Sequence, residues 1–240
     1  MSQTFQSWRR RAYALAGAFT LLVLQGCATP PKPYDYTAYK AAKPASILVL
    51  PPLNATPEVQ ARPSVLAQVT MPLAESGYYV LPVSLVDETL KQNGVHTADE
   101  AHAIDAAKLR DIFGADAGLY LKVTRYGSVY RVINSETAVT LEAKMVDLRT
   151  SQVLWEGAAS ASSAEQGNNS QGGLVGLLVK ALVEQIVASA TDRSHPIAGL
   201  ASQRLLGAGS PNGLLFGPRS PHYGKVDEAG KPPTTAKLGG

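Results

Sequence analysis

From Leu119 to Trp155 three successive segments alternate apolar and polar residues, and a strand is the conformation that places every second side chain on one face. In LYLKVTRYGSVYRV, residues 119–132, Leu119, Leu121 and Val123 oppose Tyr120, Lys122 and Thr124, and Gly127 is expected to mark a bulge where the phase slips. In TAVTLEAKM, residues 137–145, Thr137, Val139, Leu141, Ala143 and Met145 share the apolar side. VDLRTSQVLWEG, residues 146–157, supplies a turn at 149–152 and a third strand with Val153 and Trp155 on one face. Such a run predicts an antiparallel meander, and its apolar face must be covered by other elements.

The cover is expected from upstream. SILVLPP, residues 46–52, is a short apolar run closed by prolines and reads as a buried strand. SVLAQVTMPLAESG reads as a helix ended by Gly77, which Pro72 must kink or open over its last turns, and YYVLP as a second strand. SLVDETLKQNG follows as a helix with Ser84 as its N-cap and Gly94 as its stop. The fold class is therefore α+β: a single mixed β-sheet with a β-α-β start and a three-stranded antiparallel meander, helices packed on the sheet. In HTADEAHAIDAAKLRDIFGA the histidines, His96 and His102, are six apart and fall on different faces of a helix, unlike a zinc-binding pair at i, i+4. Thr97 and Glu100 instead have the spacing of a capping box.

The sole cysteine, Cys27, stands at the end of an apolar stretch. Arg9, Arg10 and Arg11 followed by Ala12 to Leu24 have the layout of a secretory signal, too short and one-sided for a spanning helix. Leu24-Gln25-Gly26-Cys27 looks like a bacterial lipobox, cut before the cysteine so that thiol and new amino group are acylated. Several acyl chains, at about 0.8 kcal/mol per buried methylene, hold a protein on a bilayer in effect permanently. Ala28, where aspartate would favour retention in the inner membrane, points to the outer membrane, with the domain facing the periplasm.

Composition divides the chain into a signal peptide (1–26), the acylated cysteine and a flexible tether (27–44), a globular domain (45–192), a carboxy-terminal arm (193–225) and a disordered tail (226–240). The chain has 22 basic and 19 acidic residues, but three of the arginines and no acid lie in the signal, so the exported part is balanced at 19 against 19. A basic nucleic-acid-binding surface is not supported. With Cys27 acylated no disulfide helps, and stability has to come from a buried core.

Motifs for catalysis are absent: there is no G-x-S-x-G elbow, P-loop, H-E-x-x-H or cysteine cluster, and no cofactor is implied. Two features point to association instead. In the segment 174–190 leucines, valines and Ile186 cover nearly the whole helical circumference apart from a stripe at Lys180 and Glu184, so Leu174, Leu178, Val179, Leu182 and Ile186 are interface candidates for a homodimer or an envelope partner. In NGLLFGPRSPHYGK the apolar Leu214, Leu215 and Phe216 are costly to leave in water, so this stretch is expected to dock on the domain or a neighbour.

PLAESGYYVLPVSLVDETLKQNG, LRDIFGADAGLYLKVTRYG, VDLRTSQVLWEG and GGLVGLLVKALVEQI together resemble a family of bacterial outer-membrane lipoproteins carried as domain of unknown function seven-nine-nine, known from a meningococcal lipoprotein antigen. The resemblance runs from the lipobox to about Asp192. It implies a fold similar to the amino-terminal domain of TolB-like proteins and to periplasmic parts of CsgG-like lipoproteins, and by association a CsgG-like partner. It offers no catalytic residue, and only Cys27 carries over position for position. The function expected is that of a non-catalytic accessory or assembly component of an envelope, secretion or transport complex. The alternatives are an envelope hydrolase and a periplasmic binding module for a small apolar ligand.

Overall fold

A computed structural model of the chain describes residues 33–130, 135–165 and 193–225. Helix α1 (Thr37–Ala42) precedes strand β1 (Ser46–Val49) and the two-residue strand β2 (Leu53–Asn54). Helices α2 (Ala61–Gln68) and α3 (Thr70–Glu75) lead to β3 (Tyr79–Val80), and α4 (Val83–Gln92), α5 (Ala98–His102) and α6 (Ala106–Phe113) lead to the long strands β4 (Ala117–Tyr130), β5 (Ser135–Asp147) and β6 (Val153–Ser162). Helix α7 (Ser194–Leu206) follows.

The described strands form one mixed sheet of order β3-β1-β4-β5-β6, with β2 also paired to β4. Strand β1 runs parallel to both β3 and β4, whereas β4, β5 and β6 are antiparallel. This is the α+β sheet with a β-α-β start and a meander. The apolar run of β1 is buried on both faces: Ile47 and Val49 join one core, Leu48 and Leu50 the other. That double burial explains why SILVL shows no alternation.

The larger core holds Leu119, Leu121 and Val123 of β4 with Val139, Leu141, Ala143 and Met145 of β5, under α2, α3 and α7. The second core lies under α4, α5 and α6 through Val86, Leu90, Ala101 and Leu109. Each large aliphatic side chain fully removed from water contributes about 1.5–3 kcal/mol, and no disulfide is needed to hold the layers.

Several local expectations are corrected. The helix expected over residues 64–77 is two helices broken at Val69, ahead of Pro72 rather than at it, because Pro72 is the third residue of α3, where a missing N–H is tolerated. Helix α4 takes Pro82, not Ser84, as its N-cap; Ser84 lies inside the first turn. The β4 register slips between Val123 and Arg125, three residues before Gly127, so Thr124 is the extra residue and its hydroxyl donates to Thr140 O at 3.4 Å. Gly127 has φ +120°, a value that side-chain-bearing residues rarely adopt. A second slip between Met145 and Val146 separates Val153 from Trp155: Val153 is 41 % exposed, while Leu154 and Trp155 are buried. The capping box is present, with Thr97 Oγ1 accepting from Glu100 N–H and Glu100 Oε2 accepting from the N–H groups of Thr97 and His96.

The tether reading of residues 27–44 also stops short. From Tyr34 onward the chain packs on the domain, with Tyr36 and Tyr39 in the larger core. A six-residue helix is too short for its apolar spacing to register as a period, which is why this stretch has the composition of a linker and the packing of a core element.

Candidate functional site

Cys27 and Ala28, the lipidation and sorting positions, lie outside the described residues, as do the interface candidates Leu174, Leu178, Val179, Leu182 and Ile186. Leu214 is buried in the larger core, with Leu215 packed against it and Phe216 half-buried. Leu214 is thus a core residue of its own chain, and Leu215 and Phe216 are partly buried beside it.

The route by which the chain reaches Leu214 builds the most organised site in the molecule. Helix α7 fills the groove between α2 and the sheet with Ile197, Ala198, Ala201, Leu205 and Leu206. Beyond it the backbone returns to the turn after α3. Ala208 N–H donates to Ser76 Oγ, Gly217 N–H to Ser76 O and Arg219 N–H to Gly77 O. Gly77 has φ +94°, and a Cβ there would stand 2.4 Å from Ser220 N; a Cβ on Gly217 would stand 2.5 Å from Gly77 O. Both glycines are required for the two backbones to touch. Asn212, with φ 57°, ties three elements: its Oδ1 accepts from Tyr34 N–H and its carbonyl from Trp155 Nε1, while the neighbouring Gly213 carbonyl accepts from Tyr36 Oη.

Between this arm and α1 opens a cleft of about 360 Å³ lined by Tyr39, Lys40, Lys43, Pro44, Tyr78, Leu215, Phe216, His222, Tyr223 and Gly224. At its base Tyr78 Oη donates to Leu215 O at 2.5 Å, so the 2.6 Å contact with Tyr39 Oη is a donation from Tyr39. Burial pushes both phenols well above the usual tyrosine range, and Tyr36 beside them is raised by burial to about 12. All three are neutral donors at physiological pH. On the opposite wall the rings of Phe216 and His222 lie 5.2 Å apart, and Arg219 sits over the Tyr79 ring at 5.1 Å.

The other polar groupings are consumed by the fold. His195 bridges α7 to α2, with Ser64 Oγ 2.8 Å from Nδ1 and Gln68 Nε2 2.8 Å from Nε2. Both ring nitrogens of His195 are thereby engaged, one by a serine hydroxyl and one by a glutamine amide. His102 Nε2 lies 3.0 Å from Pro51 O, and burial holds its pKa below the usual histidine value. Nε2 facing this carbonyl must carry a proton, so it is a donor to Pro51 O and not a free base. Among the described residues there is no group of three or more side chains suited to a metal ion, and no helix long and apolar enough to cross a membrane. A broad concavity of about 700 Å³ over the open side of the sheet is bounded by Lys122, Glu142, Lys144 and Glu156, charges of both signs on a solvated face. Among the described strands β6 ends the sheet, and its Ser160 carbonyl is taken by Arg204, which also pairs with Glu165.

The sequence signal that could have located the cleft is the pair of aromatic clusters YDYTAY and PHY flanking Lys40 and Lys43 at one end and Phe216 at the other. Their meeting requires α7 to turn the chain back, and Pro196 and Gly199 disguise that helix in the sequence.

Residues 34–219 match the family model described as "Putative lipoprotein GNA1162-like". Among curated proteins, "Putative lipoprotein NMB1124/NMB1162" of Neisseria meningitidis serogroup B is 47% identical over 206 residues, 85% of this chain and 95% of that one. The crystal structure of lipoprotein GNA1162 from Neisseria meningitidis is 49% identical, covering 61% of this chain and 100% of that chain with a TM-score of 0.49. A PelC variant dodecamer from Paraburkholderia phytofirmans, 13% identical, covers 68% of this chain and 86% of that one with a TM-score of 0.41, a likeness too low to bear on function or assembly.

Proposed function

Given that this chain belongs to the GNA1162-like lipoprotein family, we propose that it is a non-catalytic accessory or assembly component of a cell-envelope complex, held by acyl chains on Cys27 at the outer membrane with its domain in the periplasm. The observation that carries this reading is the lipobox Leu24-Gln25-Gly26-Cys27 joined to a domain whose histidine and serine clusters are spent on packing. A reaction centre needs a nucleophile or base free to exchange a proton, and both ring nitrogens of His195 are engaged within the fold, by Ser64 and Gln68. An anchored domain of this kind acts through its surface.

Its partner is a second copy of the chain or an envelope lipoprotein of CsgG-like type, engaged through the apolar segment 174–190. That segment is apolar around most of a helical circumference and carries only Lys180 and Glu184 as charges, which suits contact with protein on more than one side. The test is to crosslink intact cells, solubilise the envelope in neutral detergent and purify the full chain alongside Leu178→Glu and Val179→Glu variants. The proposal expects one defined crosslinked species from the wild type, homodimer or heterocomplex, lost in both variants. Monomer alone, or the same species from all three proteins, would refute it.

A further inference from the structure

We propose that the end of the domain built from α1 and the carboxy-terminal arm rests on the lipid surface that holds the anchor, with its exposed tyrosines seated at headgroup level. The inference rests on the acylation of Cys27 proposed above and adds the face that meets the bilayer; it uses none of the residues of the segment 174–190.

The point at which the chain enters the domain carries the argument. Strands β1, β3 and β4 begin, and β5 ends, at one end of the sheet, where Ser46 pairs with Tyr79, Ile47 with Ala117 and Ala117 with Asp147. Helix α1 lies across that end. Ahead of it Tyr34 N–H donates to Asn212 Oδ1 and Tyr36 Oη to Gly213 O, and at its close Arg149 Nη2 donates to Ala42 O. Tyr34, tied into the domain in this way, stands seven residues after Cys27. Whatever their conformation, seven residues reach about 25 Å at most, whereas a compact domain of about 190 residues is roughly 40 Å across. A lipid-anchored chain whose reach is shorter than its domain is wide keeps the end that carries Tyr34 turned to the membrane.

The surface of that end suits a bilayer interface. Of the nine tyrosines after the signal, Tyr34, Tyr36, Tyr39, Tyr78, Tyr79 and Tyr223 stand there, which is not the spread expected of residues used only to fill a core. Tyr79 is 47 % and Tyr223 42 % exposed. Rings with an apolar body and a polar tip collect at the boundary between headgroups and acyl chains. Arg219 lies over the Tyr79 ring, and a guanidinium held beside such a ring is placed to meet a lipid phosphate. Between Tyr39 and Tyr223 the cleft opens on the same surface, with Leu215 and Phe216 in its walls. Net charge is not what selects this face, since Asp35 acts on Lys40 and Asp147 pairs with Arg149. The rings are also held in place: Gly217 N–H on Ser76 O and Arg219 N–H on Gly77 O fix the arm, so little order has to be gained on contact.

The experiment places a nitroxide spin label on single cysteines introduced as Tyr79→Cys, Tyr223→Cys and, at the opposite end beside Glu58, Val59→Cys, in the intact lipoprotein carried by vesicles of phosphatidylethanolamine with phosphatidylglycerol. All three positions are exposed, so the variants keep the fold, and circular dichroism checks it. Labels at 79 and 223 are expected to collide roughly fivefold less with a water-soluble nickel chelate, and more with lipid-soluble oxygen, than the label at 59. Protein that floats with the vesicles but shows equal chelate access at 79, 223 and 59 would overturn the face and leave the anchor standing. Labels at 79 and 223 shielded from chelate and oxygen alike would mean that protein covers this end, and would overturn the proposal as well. Protein that does not float, with Cys27 itself open to thiol labelling, would overturn the anchor and this inference with it.

Discussion

Asp116 has no part in either proposed site, yet it joins the first strand to the longest one. Its Oδ2 accepts from the N–H groups of Ala45 and Ser46 and from Ser46 Oγ, and Ser46 Oγ in turn accepts from Asp116 N–H. Burial alone would raise this carboxyl; the hydrogen bonds from Ala45 and Ser46 outweigh it and hold the pKa below the usual aspartate value. A carboxyl depressed in the folded state adds stability above its unfolded pKa, near 4, and loses it as pH falls through the folded value. Asp116→Asn is therefore predicted to lower the free energy of unfolding at pH 7, measured by urea denaturation, by about 1 kcal/mol for a partly exposed, charge-assisted bond. The difference between variant and wild type should shrink as the pH is lowered through 4 to 2.5. An equal difference at pH 7 and pH 2.5 would mean that the charge is not what holds the clamp.

Helix α7 is the element on which both the larger core and the cleft depend. Leu206→Ala removes a fully buried side chain from it, and the expected loss is about 2–5 kcal/mol. Because α7 also routes the chain back to Ser76, limited proteolysis should cut the variant within residues 207–225 faster than the wild type. Equal cutting rates in a destabilised variant would show that the arm is held by its own hydrogen bonds. This helix was the least legible part of the sequence. SHPIAGLASQRLL contains Pro196 and Gly199, which read as loop; Pro196 in fact sits in the first turn, where a proline is tolerated, and Gly199 lies against Gln68, with a Cβ there 3.1 Å from Oε1. By contrast the faces of β4 and β5 were legible because only one side of each strand is buried, and a one-residue alternation follows directly. The bulges at Thr124 and Leu154 were not, since register depends on the partner strand. The cleft was illegible for the same reason: its walls come from residues 39–44, 78 and 215–224, and no local pattern announces that they meet.

At the scale of the whole molecule the proposed arrangement is an export signal and an acylated cysteine ahead of a domain with two apolar cores on one sheet. Balanced charge after residue 26 gives no electrostatic hold on a membrane, and the proposed anchor is acylation of Cys27. This gives the central claim a direct measurement: growth of cells expressing wild type or Cys27→Ser with radiolabelled palmitate, followed by membrane fractionation. The account predicts label in the wild-type band and its recovery with the outer membrane, and for Cys27→Ser no label and loss from the membrane fraction. A Cys27→Ser protein that still takes up palmitate and still sediments with membranes would contradict it.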